Sequence, residues 1–328
     1  MPEVQELVLK DQLTQRRRQL EKAVTVSRGR DDLVRLMEQV DQALERIDHG
    51  TYGLCEECHD PIEPDRLLAD PLLCFCLDHL SPDQQRSLQM DLELASRVQR
   101  ALLPKQSHTV PGWEIRYHYE PAGPVSGDYC DLVDPGPGDG GLFFLFGDVS
   151  GKGVAASMLM ARLHAILRAL IDARLPAGEI MGRANRLFCE SSLPASFATL
   201  VCGRAGRNGE VEVGNAGHCP PLLVRNGRAS RIEATGLPVG LFCTVDYPVE
   251  RVNLSRGDTL FLYTDGLSEA LNTDRQEYGI DRIARLLEER HALPVPDLIG
   301  ACLEDLRVFR SGAPRTDDLT LMVIRRTE

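Results

Sequence analysis

The spacing of apolar residues changes character twice along the chain. From Leu33 onward Leu36, Met37, Val40, Leu44 and Ile47 recur every three or four positions, which is one face of a helix. Leu9, Leu13, Leu20 and Val24 form an earlier stripe. The two are separated by Ser27-Arg28-Gly29-Arg30, where Gly29 can end a helix in the left-handed region and Asp31 or Asp32 can cap the next. The pattern predicts an antiparallel helical hairpin, or short coiled coil, over residues 1–50. Residues 51–80 are rich in cysteine and proline and have almost no periodic apolar pattern, so they need a staple to fold. Ser81, Pro82 and Asp83 are a helix start, and a linker helix is expected over 81–104. In it Leu88, Ala95 and Leu102 lie seven apart with Leu92 and Val98 between them, a seam suited to a homodimer or to the helix's own domain.

Residues 105–328 follow a different rhythm. Strand-like runs occur at 113–119, 142–146, 197–202, 210–213, 259–263 and 319–324, and helical stretches near 154–173, 177–190, 277–290 and 296–309. The strands come in neighbouring groups joined by turns such as Arg207-Asn208-Gly209 and Arg225-Asn226-Gly227, which favour antiparallel hairpins. An α+β sandwich fits this order better than a doubly wound parallel sheet.

Composition narrows the function classes. The 328 residues carry 37 Lys and Arg against 49 Asp and Glu, a net charge of −12, which repels a phosphate backbone and argues against non-specific nucleic-acid binding. No apolar stretch approaches a membrane span, and the N-terminal segment has no apolar signal core, so a cytoplasmic protein is expected. In that setting clustered cysteines read as metal ligands and scattered ones as buried thiols.

One cluster has that form. Cys55, Cys58, Cys76 and His79 are spaced C-x2-C-x17-C-x2-H, two ligand pairs that can close a tetrahedral cage around one structural Zn2+. Cys74, His59 and His49 are rival ligands, although Cys74 breaks the symmetry of the spacing and His59 abuts Cys58. Gly50-Thr51-Tyr52-Gly53-Leu54-Cys55-Glu56-Glu57-Cys58, with Arg66-Leu67-Leu68-Ala69-Asp70-Pro71, resembles the DksA/TraR zinc-finger family over residues 1–80. That resemblance implies a helical hairpin ahead of the finger and RNA polymerase as a partner, engaged through acidic residues at the hairpin tip. Here the tip reads Ser27-Arg28-Gly29-Arg30-Asp31-Asp32, without the family's spaced aspartates.

The second constellation is acidic. Asp128 in Ser126-Gly127-Asp128, Asp148 in Gly147-Asp148-Val149, Asp265 in Thr264-Asp265-Gly266 and the Asp317-Asp318 pair each border a strand-like run. Any one of them reads as an ordinary turn residue. Together, carboxylates over one sheet edge offer hard-oxygen ligands to Mg2+ or Mn2+, and two such ions can clamp a phosphoryl group and activate water. The DVSGKG stretch at 148–153 lacks the G-x4-G-K-S/T spacing and is no nucleotide loop.

VSGDYCD, FGDVSGKGVAASMLMA, GNAGHCPPLLV, GLPVGL, LFLYTDGLSEA and TDDLTLMVI are similar to motifs of the SpoIIE/RsbU branch of metal-dependent serine/threonine phosphatases, the protein phosphatase 2C-like fold, over residues 96–326. The resemblance implies an α-β-β-α sandwich with two Mn2+ or Mg2+ ions. Asp148 would bridge them, the Val149 carbonyl would be a ligand, and Asp128, Asp265 and Asp317 would hold ions directly or through water, with Asp148 and Asp128 the catalytic pair. Asp317 takes the ligand role because Asp318 stands where many relatives carry asparagine. Ser150 replaces a histidine of animal relatives, which leaves the general acid unassigned. His218 is a proton donor, a switch residue or a hydrogen-bonded turn histidine. Lys152 either attracts phosphate or is a solvated loop lysine. The expected substrate is a phosphorylated regulatory protein, an anti-sigma-factor antagonist of the STAS type. The alternative is a DksA-like transcription regulator with a degenerate phosphatase domain.

Overall fold

The computed structural model describes residues 9–10, 13–14, 16–18, 20–21, 30–63, 66–67, 70–80, 82–134, 141–172, 175–190 and 196–328. The chain divides into two compact units, Met1–Asp91 and Leu92–Glu328.

In the N-terminal unit the described residues between 9 and 21 are helical, and helix α1 spans Arg30–Asp48. Leu9, Leu13 and Leu20 are buried in one cluster with Val40, Ala43 and Ile47 of α1, the two stripes seen in the sequence. Lys10 pairs with Asp48 at 2.7 Å and Arg17 with Asp41 at 2.5 Å, so later residues of one helix meet earlier residues of the other. That is an antiparallel hairpin. The expected turn at Ser27–Arg30 falls almost wholly outside the described residues. Tyr52, Cys55, Ile62, Leu67 and Cys76 join the same cluster, so the cysteine-rich segment shares a core with the hairpin.

Helix α2, Pro82–Leu102, runs across the division between the units. Leu88, Met90, Leu94 and Val98 are exposed on it, whereas Gln99 is buried and Leu102 packs on the core of the C-terminal unit. The seam drawn from sequence therefore splits, and its last member belongs to its own domain.

Two antiparallel sheets form the C-terminal unit. In chain order the strands are β1 Ser107–Val110, β2 Trp113–Glu120, β3 Asp128–Val133, β4 Gly141–Val149, β5 Ala198–Gly206, β6 Glu210–Ala216, β7 Leu222–Arg225, β8 Arg228–Arg231, β9 Glu250–Asn253, β10 Thr259–Tyr263 and β11 Leu319–Arg326. One sheet has the order β1-β2-β11-β10-β7-β8 and the other β3-β4-β5-β6-β9. The helices are α3 Gly153–Asp172, α4 Ala177–Glu190, the single turn α5 Asp265–Ser268, α6 Ile280–Arg290 and α7 Val295–Arg310. Side-chain alternation assigns the layers. In β4, Phe143 and Leu145 point to α3 and α4, while Leu142, Phe144 and Phe146 enter the core between the sheets. In β11, Met322 and Ile324 enter that same core, and Leu321 and Val323 pack on α6 and α7. The result is the expected α-β-β-α sandwich.

Helix α3 is the one described helix long and apolar enough to cross a membrane. Met160, Leu163, Leu167 and Ile171 on one of its faces are buried in the protein core, while Val154 and Met158 are exposed. The hairpins turning at 207–209 and 225–227 form as predicted, linking β5 to β6 and β7 to β8. Strands β1, β3, β7, β8 and β9 are not among the predicted runs, because they are polar, short or buried on both sides and so show no alternation.

Candidate active site and candidate zinc site

The acidic site lies where strands of both sheets end. Asp128 opens β3 and Asp148 stands near the end of β4, and the two are direct cross-strand partners. From the other sheet, β10 leads through Thr264 to Asp265, and Asp317-Asp318 lead into β11. Sequence-distant aspartates thus converge on one edge of the sandwich.

Asp128 is fully buried, and its Oδ2 accepts from the Thr264 hydroxyl at 3.0 Å and the Thr320 hydroxyl at 2.5 Å. Those threonines belong to the opposite sheet, so this carboxylate also ties the sheets together. Asp318 does different work: Oδ1 accepts from the Ala122 N–H at 2.6 Å and Oδ2 from the Gly127 N–H at 3.0 Å. It holds the loop that presents Asp128. Asp317, one residue earlier, is left on the open side of the site, where the Lys152 ammonium lies 3.0 Å from Oδ2 and also donates to the Thr316 carbonyl. Lys152, itself largely exposed, therefore links two loops.

Backbone approach explains two of the flanking glycines. A Cβ on Gly127 would sit 2.8 Å from the Val149 carbonyl oxygen and 2.9 Å from Asp148 Oδ1. On Gly266 it would lie 1.8 Å from the Asp318 carbonyl oxygen, which no side chain tolerates. The close packing of these loops lets carboxylates and the Val149 carbonyl share one small volume.

Crowding shows in the proton affinities. Burial, then the repulsion of Asp265, Asp317 and Asp318, pushes the Asp148 carboxyl up to about 7. Burial and the nearby Asp148 charge hold Asp128 well above the usual carboxylate range, against the pull of its two threonine partners. Asp265 is raised as well, by burial and then by Asp317. A set of hard oxygens whose mutual repulsion is relieved by one exposed lysine suits divalent cations. The aspartate oxygens stand further apart than the sulfur ligands described below: among the described residues, only Cys55, Cys58, Cys76 and His79 bring three or more ligand atoms within 4.8 Å of one another.

His218 lies in the core. Its ring meets the Phe146 ring edge-on, Nδ1 is 2.8 Å from the Thr199 hydroxyl, and the Asn215 side chain brackets its backbone. Burial pulls it down to about 4, which favours the neutral ring, and its Nε2 is buried without a hydrogen-bond partner. Asp131, in the same SGDYCD motif, stands apart from the site: fully buried, it accepts two bonds from Arg168 at 2.6 and 2.7 Å. The residues that sequence reasoning missed are Thr264, Thr320 and Gln99. The Gln99 amide donates to the Ser126 carbonyl at 2.6 Å and accepts the Ser126 N–H at 3.0 Å, two residues before Asp128. Both threonines sit inside the quoted motifs, one beside Asp265 and the other two residues after Asp318, and their position was the available signal.

The second site is sulfur-rich. Cys58 Sγ is 3.8 Å from Cys76 Sγ, and Cys76 Sγ is 3.2 Å from His79 Nδ1. Sulfurs at roughly 2.3 Å from a tetrahedral zinc stand about 3.8 Å apart, so the spacing fits the ion. Burial opposes ionisation of Cys55, yet the backbone N–H groups of Cys58, Cys76 and Glu57 bring its thiol down to about 6. The rivals are placed elsewhere: Cys74 Sγ donates to the Leu72 carbonyl, and His49 Nδ1 contacts the Glu45 carbonyl oxygen.

The raised Asp148 carboxyl has a consequence for stability. Folded, it keeps its proton up to about pH 7, whereas in the unfolded chain it releases it near 4, so its contribution is present at low pH and lost as pH rises through 7. Urea titrations of wild type dialysed into metal-free buffer should show a loss on the order of 2–4 kcal/mol between pH 4.5 and pH 7.5. Asp148→Asn should make that loss smaller without abolishing it, since Asp128 and Asp265 are raised as well, and added Mn2+ should raise the melting temperature of wild type but not of the variant. A wild-type profile already as flat as the variant's would contradict the crowding argument.

Comparison with known proteins agrees with this arrangement. The chain is 25% identical over 267 residues to Protein IcfG of Synechocystis, covering 73% of this chain and 42% of that protein. It is 24% identical over 248 residues to phosphoserine phosphatase RsbU of Bacillus subtilis, covering 74% and 72%. The fold matches the SiaA-PP2C domain of Pseudomonas aeruginosa with a TM-score of 0.66 at 22% identity, over 75% of this chain and 99% of that one. This chain thus spans less than half of the first relative and about three quarters of the second. Residues 50–78 match the prokaryotic dksA/traR C4-type zinc finger, the segment holding three of the four sulfur-site ligands. Residues 138–327, more than half of the chain and three of its four converging aspartates, match the Stage II sporulation protein E (SpoIIE) family, and the chain belongs to that family.

Proposed function

We propose that the protein is a metal-dependent protein serine/threonine phosphatase. The observation that carries this reading is the meeting of Asp128 and Asp148, partners across β3 and β4, with Asp265 and Asp317 from the ends of the facing sheet. Asp148 would bridge two Mn2+ or Mg2+ ions, with the Val149 carbonyl, Asp128, Asp265 and Asp317 completing the ligand set. Bound ions of this kind supply Lewis acidity toward the phosphoryl group and a water nucleophile available near neutral pH. The chain's own residues do the rest. Thr264 and Thr320 fix the rotamer of Asp128, Asp318 holds the preceding loop, and Lys152 keeps the 148–153 loop against Thr316-Asp317. The buried neutral His218 is not offered as the proton donor.

The substrate in this reading is a phosphoserine or phosphothreonine on a small cytoplasmic regulatory protein, an anti-sigma-factor antagonist of the STAS type. The relative RsbU, itself a phosphoserine phosphatase, supports the phosphoserine half of it. The alternative, a polymerase-binding regulator with a degenerate catalytic domain, is disfavoured by the intact carboxylate set. Hydrolysis of p-nitrophenyl phosphate should require Mn2+ or Mg2+, and Asp148→Asn should lower kcat by more than about a hundredfold. Undiminished turnover in EDTA would sink the assignment. Phosphorylated STAS proteins should lose phosphate in the same assay by mass spectrometry; if only the ester reacts, the partner assignment fails alone.

Control would pass through α2. Its Gln99 grips Ser126 beside the site, while Leu88, Met90, Leu94 and Val98 remain exposed for a second copy of the chain. Sedimentation equilibrium should find a homodimer at micromolar concentration, and Leu88→Glu with Val98→Glu should give monomers of altered basal activity. A wild type that is monomeric under those conditions removes the dimer from the scheme.

Cys55, Cys58, Cys76 and His79 would hold one structural Zn2+, which closes the shell and leaves no position for water. Elemental analysis should give one zinc per chain, retained in Cys74→Ser and lost in Cys55→Ser/Cys58→Ser. Loss from the Cys74 variant would reinstate the rival ligand.

A further inference from the structure

Helix α7 ends in a tight reversal. Ser311 and Gly312 both take left-handed backbone, with φ of 47° and 93°, and the Ala313 N–H donates to the Arg310 carbonyl. The turn carries Arg315 back toward Arg310. Arg315 is engaged: its guanidinium pairs with Glu120 of β2 and donates to the Pro121 carbonyl. Arg310 is not. Its Nε is buried without an acceptor, and among the described residues no carboxylate lies within 4 Å of its guanidinium. Burial, and next the charge of Arg315, pull the Arg310 pKa below its usual value, with the more distant Glu120 offsetting only part of that.

This pair lines a cavity of about 230 Å³ whose lining also includes Asp265 and Asp317. Glu269 and Glu277 complete its polar wall. The same two arginines also line a larger cavity of about 510 Å³ with Leu303, Leu306 and Leu319. A guanidinium with no anion of its own, next to the site where a phosphoryl group would be held, is an uncommon feature in a chain of net charge −12. Carboxylates and phosphates are the groups a guanidinium fork fits best.

We propose that the cavity lined by Arg310, Arg315 and Asp317 is a substrate-recognition subsite for an acidic side chain flanking the phosphorylated serine or threonine, with Arg310 its direct partner. The proposal rests on the phosphatase reading, since it is the clustered aspartates that would engage the phosphate and leave Arg310 to read the next anion. Arg315, fixed by Glu120, lines the pocket beside Arg310. Glu269 and Glu277 favour one orientation of an incoming carboxylate by repelling it from their side of the wall. Specificity of this kind appears mainly in KM, because the contact is made equally in the bound and reacting states.

Steady-state kinetics with Mn2+ on three phosphoserine peptides, identical except for acidic, alanine or lysine flanks, tests it. Wild type should show a KM about tenfold lower for the acidic peptide than for the alanine peptide, the worth of one charge-assisted pair. Arg310→Gln should raise the acidic-peptide KM about tenfold with kcat within twofold, and change the alanine-peptide KM less than twofold. Arg310→Lys should recover part of the preference. Equal KM values for the three peptides in wild type, or an Arg310→Gln effect that is the same for acidic and alanine flanks, overturns the subsite. The wild-type comparison stands even if a variant misfolds, which its circular-dichroism melt will reveal. Parallel assays of wild type on p-nitrophenyl phosphate separate the two levels: no metal-dependent hydrolysis of ester or peptide defeats the phosphatase reading, whereas ester hydrolysis without peptide preference defeats the subsite alone.

Discussion

Four carboxylates brought to one edge of a sandwich repel one another, and the surrounding fold is arranged to hold them there. Burial, and then the charges of Asp265 and Asp317 beside it, let Asp148 keep its proton near neutral pH. Left to side-chain preference such groups would turn apart into water. They are held by backbone that cannot move: Asp128 and Asp148 occupy directly paired positions in two hydrogen-bonded strands, and Asp265 follows immediately after β10. A divalent cation would convert that stored repulsion into binding free energy, as in any carboxylate cage.

The same edge also joins the two sheets. Thr264 and Thr320 come from the sheet opposite Asp128, and their hydroxyls satisfy its buried oxygen while the Thr264 hydroxyl also accepts the Thr320 N–H. Asp318 repeats the motif with the Ala122 and Gly127 N–H groups. Charge-assisted bonds in a buried setting are among the stronger polar contacts, and removing one partner strands the other. Site geometry and inter-sheet register are thus one network, and Gln99 adds the end of α2 to it through Ser126.

The N-terminal unit solves a different problem. Its hairpin supplies leucines and its finger supplies few, and Cys55 and Cys76 are at once core residues and ligand donors. The sulfur and imidazole cluster therefore sits against the cluster that closes the hairpin. A metal there would stabilise helices that carry little else to hold them, since the segment is too short for an independent core.

Much of this was legible in the sequence where local chemistry decides structure. Helix periodicity located α1, α3, α4, α6 and α7 because a 3.6-residue repeat must place one stripe against a core, and the Asn-Gly turns located two hairpins because few residues accept left-handed backbone. Ligand spacing alone favours Cys76 and His79 over Cys74, and the structure brings those two beside Cys55 and Cys58. Strand β3 escaped notice because all six of its residues are buried, so no alternation marks it. The polar network escaped for another reason. That Thr320 and Thr264 serve Asp128, that Asp318 holds a loop while Asp317 stays open, and that Arg310 lacks an anion are consequences of strand order and register, which join residues 56 to 196 positions apart. Sequence fixes which groups can donate, accept or ligate; only tertiary packing, by excluding water from some of them and pairing the rest, decides which ones do.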